Sequence, residues 1–162
     1  MSTNPYAAPR AQGQDLTGPE FESAGFWLRT GASLVDIILI VGITYPILYG
    51  VYGAEYFDAE NNGFVAGPLD FMLTWVAPAI ATLWFWRAKQ ATPGKLVFSL
   101  RVVDAGTGET MSMGQSIIRY IAYFASLIPM CVGFIWVAID ARNQGWHDKL
   151  AKTIVIRASN PR

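Results

Sequence analysis

Arg29 and Asp36 stand seven residues apart in the first long apolar run, AGFWLRTGASLVDIILIVGITYPILYGVY. On a helix that spacing is two turns, so both side chains leave the same face, about 10 Å apart along the axis. From Gly31 to Tyr52 the run is long enough to cross a bilayer, and Asp36 is its only charge. A carboxylate on a one-carbon stem cannot snorkel far. At that depth it must be protonated, paired with a cation such as Arg119, or turned to a polar cavity. The first state makes Asp36 an ion- or proton-binding group and the second a structural clasp. Arg29, nearer the end of the run, reads as an interfacial anchor with its guanidinium toward lipid phosphates.

Other residues with chemical potential are fewer. Asp140 and Arg142 close the third apolar block, and an aspartate at a helix C-terminus opposes the helix dipole and calls for a cation. His147 and Asp148 are neighbours in GWHDKLAKT, but adjacent side chains do not face each other, so they make no catalytic dyad. That segment reads as amphipathic, with Trp146 at the membrane interface and Lys149 and Lys152 toward head groups. TPGKLVF contains a Gly-Lys step yet lacks the earlier glycine of a phosphate loop, and a turn explains Pro93 and Gly94. The single cysteine, Cys131, lies in an apolar block and reads as a packed small hydrophobe. No nucleophile with a base and no metal-ligand set can be assembled, so the expectation is a protein without enzymatic activity, cofactor or metal.

The elements that would carry these residues are three apolar blocks. Apolar residues make up 52% of the 162-residue chain and charged residues 15%, too apolar for a soluble domain of this size. Net charge is zero, which argues against a nucleic-acid partner. The second block, VAGPLDFMLTWVAPAIATLWFW, carries Asp70 near its start and Pro78 at a predicted kink. Trp84 and Trp86 close it as an aromatic belt before Arg87 and Lys89. The third, IIRYIAYFASLIPMCVGFIWVAI, has Arg119 near its start and Pro129 at its centre. Residues 1–24 are polar and Pro/Gly-punctuated and read as a disordered tail, 25–157 as the membrane domain and 158–162 as a C-terminal tail.

The loop between the first two blocks carries Glu55, Asp58, Glu60 and Asp70 and no basic residue, while ten of the twelve basic residues follow the second block. The positive-inside rule places that acidic loop outside, and the N-terminus and the 87–115 segment in the cytoplasm. A third full crossing would then send the basic C-terminal segment outside. Pro129 divides the third block into arms that each reach about half a bilayer, so a re-entrant hairpin stands beside a kinked span. Leu96 to Val103 alternates with the period of a strand and ends at the turn Asp104–Gly108, and TIVIR at 153–157 is a second β-branched run. Two such strands would meet only on one side of the membrane. The fold class is therefore an all-α integral membrane protein: two transmembrane helices, a third hydrophobic segment, and a short cytoplasmic β element.

Four segments, AGFWLRTGASLVDIILI, TPGKLVFSLRVVDAGTGE, QSIIRYIAYF and DARNQGWHDKLAKTIVIR, together resemble the RDD family of membrane proteins, named for one arginine and two aspartates. By that resemblance Arg29 is the family arginine and Asp36 the first aspartate, with Asp148 or Asp140 as the second. Pro93 stands where the family often has an apolar residue. The resemblance implies a transport role, as in bacterial members associated with sodium–proton exchange, or an assembly role, as in a eukaryotic relative that serves a membrane degradation complex. The functional expectation is an inner-membrane protein in ion or small-solute transport, with Asp36 as the proton- or cation-binding group. Arg29, Arg119, Asp140 and Asp148 are its other charged residues of interest. Three segments are too few to enclose a pathway, so a homo-oligomer or a membrane-protein partner belongs to the expectation. The alternative is a non-transporting scaffold or assembly factor.

Overall fold

The computed structural model describes residues 21–58, 65–128 and 132–158. Strand β1 (Phe21–Ser23) leads into the long helix α1 (Phe26–Tyr52), which a 3-10 turn at Ala54–Phe57 follows. The chain returns through α2 (Pro68–Phe71), a π-helical turn at Met72–Val76 and α3 (Ala77–Lys89), then turns into the short helix α4 (Pro93–Val97). Strand β2 (Leu100–Asp104) and helix α5 (Met113–Leu127) come next. Helix α6 (Val132–Ile135), helix α7 (Trp146–Leu150) and strand β3 (Thr153–Ala158) complete the order.

α1 has 27 residues, about 40 Å of helix, and both it and the run from Pro68 to Val97 are long and apolar enough to cross a membrane. Its apolar residues surround the axis, and Ile38 and Ile43 stand 67% and 63% exposed. Such a surface suits lipid, where the hydrocarbon is the solvent. Pro78 sits at the start of α3 directly after the π turn, so the predicted irregularity takes the form of a widened turn.

The three strands form one antiparallel sheet in the order β1-β3-β2, with Val102 opposite Val155 and Ser23 opposite Ile156. Residues 21–23, assigned from sequence to the tail, are thus a paired strand, and the Ala24 amide continues it by donating to the Val155 carbonyl at 2.9 Å. The remainder of both expected tails, 1–20 and 159–162, lies outside the described residues. The alternation from Leu96 onward is only partly strand. Pro93 at the first helical position starts a helical turn through Val97, Ser99 takes a left-handed backbone (φ 55°), and pairing begins at Leu100. One sheet face joins Ala24, Ala32, Trp86 and Met111 in the core through Leu100, Val102 and Val155, and the other buries Val103, Ile154 and Ile156. Trp86, expected in an aromatic belt, is fully buried there, while Trp84 is 60% exposed.

The sheet decides the path of the third block. β2 precedes that block and β3 follows it, and hydrogen-bonded neighbours cannot lie on opposite sides of a bilayer. Both ends of the block therefore lie on one side, as the hairpin expectation requires and a full crossing does not allow, and α5 and the helical segment Val132–Ala138 are bent 112° from each other. Gly133 makes the close approach, since a Cβ there would lie 2.7 Å from the Ser126 Cα. Pro129 and Cys131 lie outside the described residues.

Candidate functional site

α5 begins with a capping box. Ser112 Oγ accepts from the Gln115 amide at 3.2 Å, and the Gln115 side chain accepts from the Ser112 amide at 2.8 Å. That fixed start sets the helix's rotation, so that Ser116, Arg119, Tyr123 and Ser126, spaced by three and four residues, fall on one inward face. α7 is a single turn whose third residue, Asp148, accepts from the Gly145 amide through Oδ2 at 2.9 Å. The carboxylate is thereby fixed with 0% exposure.

Two arginines converge on it. Arg29 Nη1 reaches Asp148 Oδ2 at 2.5 Å, and Arg119 Nη1 reaches Oδ1 at 2.6 Å. Arg119 also donates to the Thr153 hydroxyl, and Gln144 donates to the Thr153 carbonyl at 2.8 Å. The carboxylate thus ties the start of α1 and the middle of α5 to α7, and Arg119 carries the link on to the first residue of β3. Burial pushes the Asp148 carboxyl up, but Arg119 and Arg29 more than reverse this and hold it well below the usual carboxylate range. His147 lies in the same wall, its ring 4.6 Å from that of Tyr123 and 4.9 Å from that of Phe134, centroid to centroid. Burial outweighs the pull of Asp148, and its pKa falls to about 3, so the imidazole is neutral near pH 7.

A third cation joins this cluster. Lys95, 6% exposed, stands 5.7 Å from the centroid of the Trp86 ring, and the Arg119 guanidinium lies 5.4 Å from the same ring.

Asp36 belongs elsewhere. Its Oδ2 accepts from the Thr92 hydroxyl at 2.5 Å and its Oδ1 from the Gly94 amide at 2.7 Å, which pins the start of α4 against α1. Gly94 is required for this approach: a Cβ would sit 2.0 Å from the Ala32 carbonyl oxygen. Among the described residues no cation comes within ion-pair distance of Asp36. Asp140 is separate again. It pairs with Lys149 near the surface and accepts from the Arg142 and Gln144 amides at 3.2 and 3.1 Å.

The structure thus brings Arg29, Arg119 and Asp148 together and leaves Asp36 and Asp140 apart. Arg29 turns inward to Asp148 rather than out along the surface, Arg119 is no partner for Asp36, and Asp148 rather than Asp140 answers Arg29. His147 and Asp148, expected on a surface segment, both face the core because the one-turn helix is packed against α5. Sequence reasoning passed over Lys95, Thr92 and Gly94 by reading TPGK as a plain turn. The three-four spacing of polar residues in SIIRYIAYFAS was the signal for the inner face of α5.

The profile of the RDD family matches residues 23–152, four fifths of the chain, and takes in Arg29, Lys95, Arg119 and Asp148 but stops just before β3. The chain belongs to the RDD family. It is similar to the uncharacterized protein YxaI of Bacillus subtilis (strain 168), 31% identical over 147 residues that cover 82% of this chain and 96% of that one. The uncharacterized membrane protein YteJ of the same organism is 26% identical, with 88% and 89% covered. The proline-rich antigen of Mycobacterium leprae (strain TN) is 27% identical over 63% of this chain, which spans only 42% of that protein's length. No solved structure matches the chain. In this RDD-family membrane protein, the two residues that the resemblance offers as the second aspartate have different surroundings: Asp148 sits between two arginines and Asp140 faces a lysine.

Proposed function

We propose that this RDD protein serves ion or small-solute transport across the plasma membrane, as a homo-oligomer or beside a membrane-protein partner, with Asp36 exchanging a proton or cation. One observation carries the reading. Asp36 lies two turns inside α1 from Arg29, half-buried, held by a hydroxyl and an amide and, among the described residues, by no cation. A carboxylate that is oriented by neutral donors and not neutralised by a fixed cation keeps its affinity for a mobile one. The re-entrant hairpin supports the same reading, because broken helical elements at membrane depth are tolerated where they line protein or water rather than lipid. The basic segments around β2 and β3 support a cytoplasmic sheet and N-terminus.

The test is flux. Purified protein reconstituted into vesicles with an internal pH dye should move protons when sodium or potassium is pulsed outside, and Asp36→Asn should abolish the signal. Equal signals from the two proteins would sink the proposal. A second reading, a non-transporting scaffold, draws on the Arg29–Asp148–Arg119 clasp, which joins four elements and suits a rigid docking face. It predicts that the purified wild-type protein moves nothing.

A further inference from the structure

The charge balance of the buried cluster is uneven. Arg29, Lys95 and Arg119 are 8%, 6% and 1% exposed and come from α1, α4 and α5; among the described residues Asp148 is the one carboxylate in ion-pair contact with them, and Tyr123 lies against Lys95 and Arg119. Several donors are also unanswered. Arg29 Nε and Nη2, Arg119 Nε and Trp86 Nε1 are buried without a hydrogen-bond partner among the described residues. Lys95 Nζ meets the Trp86 ring and no carboxylate within ion-pair distance among those residues. Buried cations without counter-charge, and buried N–H groups without acceptors, are each costly, and one acceptor-only anion would answer both.

We propose that Arg29, Lys95, Arg119 and the Trp86 indole N–H bind a phosphate group. Two guanidinium forks and an ammonium are the donors that suit a tetrahedral oxyanion, and all of them are donors only. The site lies at the end of α1 from which Trp27 projects, 81% exposed, and beside the exposed Leu96 and Val97. That is the level at which a membrane holds lipid phosphates, so the group is carried by a lipid headgroup or is free inorganic phosphate. The inference does not rest on the transport reading, since it uses none of the contacts of Asp36.

The experiment is a thermal titration of the full chain, purified in detergent and stripped of lipid. Sodium phosphate is added against sodium chloride at constant ionic strength, and short-chain phosphatidylglycerol against short-chain diacylglycerol, which lacks the phosphate. The unfolding midpoint should rise with one or both phosphate compounds and not with their controls. Lys95→Met should raise the half-saturating concentration at least tenfold, Lys95→Arg should keep most of the effect, and the exposed Arg142→Met should keep all of it. A rise with inorganic phosphate alone identifies the free anion, and a rise with phosphatidylglycerol alone the headgroup. No rise with either, an equal rise with diacylglycerol, or an undiminished rise in Lys95→Met would overturn the proposal. If Lys95→Met fails to fold, Lys95→Gln takes its place under the same criterion.

Discussion

Replacing Asp148 by asparagine is the sharpest perturbation of the cluster. The amide keeps the side chain's shape and can still accept from the Gly145 amide, but it removes the one charge that two buried guanidiniums face at 2.5 and 2.6 Å. Breaking a buried ion pair from one side costs about 3–5 kcal/mol, because the surviving charges stay out of water. For a chain of this length about 2–4 °C of melting temperature goes with each kcal/mol. The expected loss is therefore roughly 6–20 °C, read as the midpoint for loss of monodisperse protein on size-exclusion chromatography after heating in detergent. Asp140→Asn is the control. Its lysine partner is 44% exposed, and such pairs contribute about 0–1 kcal/mol, so its midpoint should move by no more than about 4 °C. Adding Arg29→Met to Asp148→Asn should recover part of the loss by removing a charge left without an answer. If Asp148→Asn melts within about 2 °C of the wild type, or no lower than Asp140→Asn, the clasp does not hold the fold.

Acid should weaken the protein in two stages. His147 titrates near 6.5 when unfolded but at about 3 in the fold, so stability is full above pH 6.5 and is lost progressively as pH falls toward 3, by up to about 1.4 kcal/mol per unit. Asp148, also depressed in the fold, adds its loss only as pH falls below about 4. Between pH 4 and 6 the slope of melting temperature against pH should therefore flatten in His147→Gln, and an unchanged slope would place the imidazole elsewhere. Gly94→Ala drives a Cβ onto the Ala32 carbonyl and parts Asp36 from the Gly94 amide, so it should cost about 3 kcal/mol or more and yield little folded protein; wild-type yield and melting would refute the α1–α4 contact. In a Cys131→Ser background, single cysteines at Glu109 and Lys152 should react with an impermeant maleimide from the same side of the membrane and one at Asp58 from the other, whereas a full third crossing would separate 109 from 152.

What the sequence made legible was whatever rests on run length and composition. Apolar length located α1 and the return helix, the D-x-G-x-G turn closed β2, and β-branched runs marked both β2 and β3. The path of the third block was undecided because its length fits a span and a hairpin equally, and only pairing between residues 100–104 and 153–157 separates them. β1 escaped notice for a similar reason: three residues carry no period, and β3 alone makes them a strand. Within the site, Arg29 and Asp36 were marked by depth, but their partners were not, since Asp148 and Gly94 are 119 and 58 residues away. Trp86 was read by its usual interfacial preference and Lys95 as part of a plain turn, and the packing of α3 and α4 beneath the sheet buries both.

On the proposed reading the two aspartates divide the work: Asp148 locks the fold, and Asp36, held by neutral donors, exchanges a proton or cation. Stability and flux measured on one preparation of Asp36→Asn test that division most directly. Asparagine can still accept from Thr92 or Gly94, so the loss of one hydrogen bond, about 1 kcal/mol, should lower the melting temperature by only about 2–4 °C while cation-driven proton flux disappears. Retained flux, or a melting loss as large as that of Asp148→Asn, would contradict it.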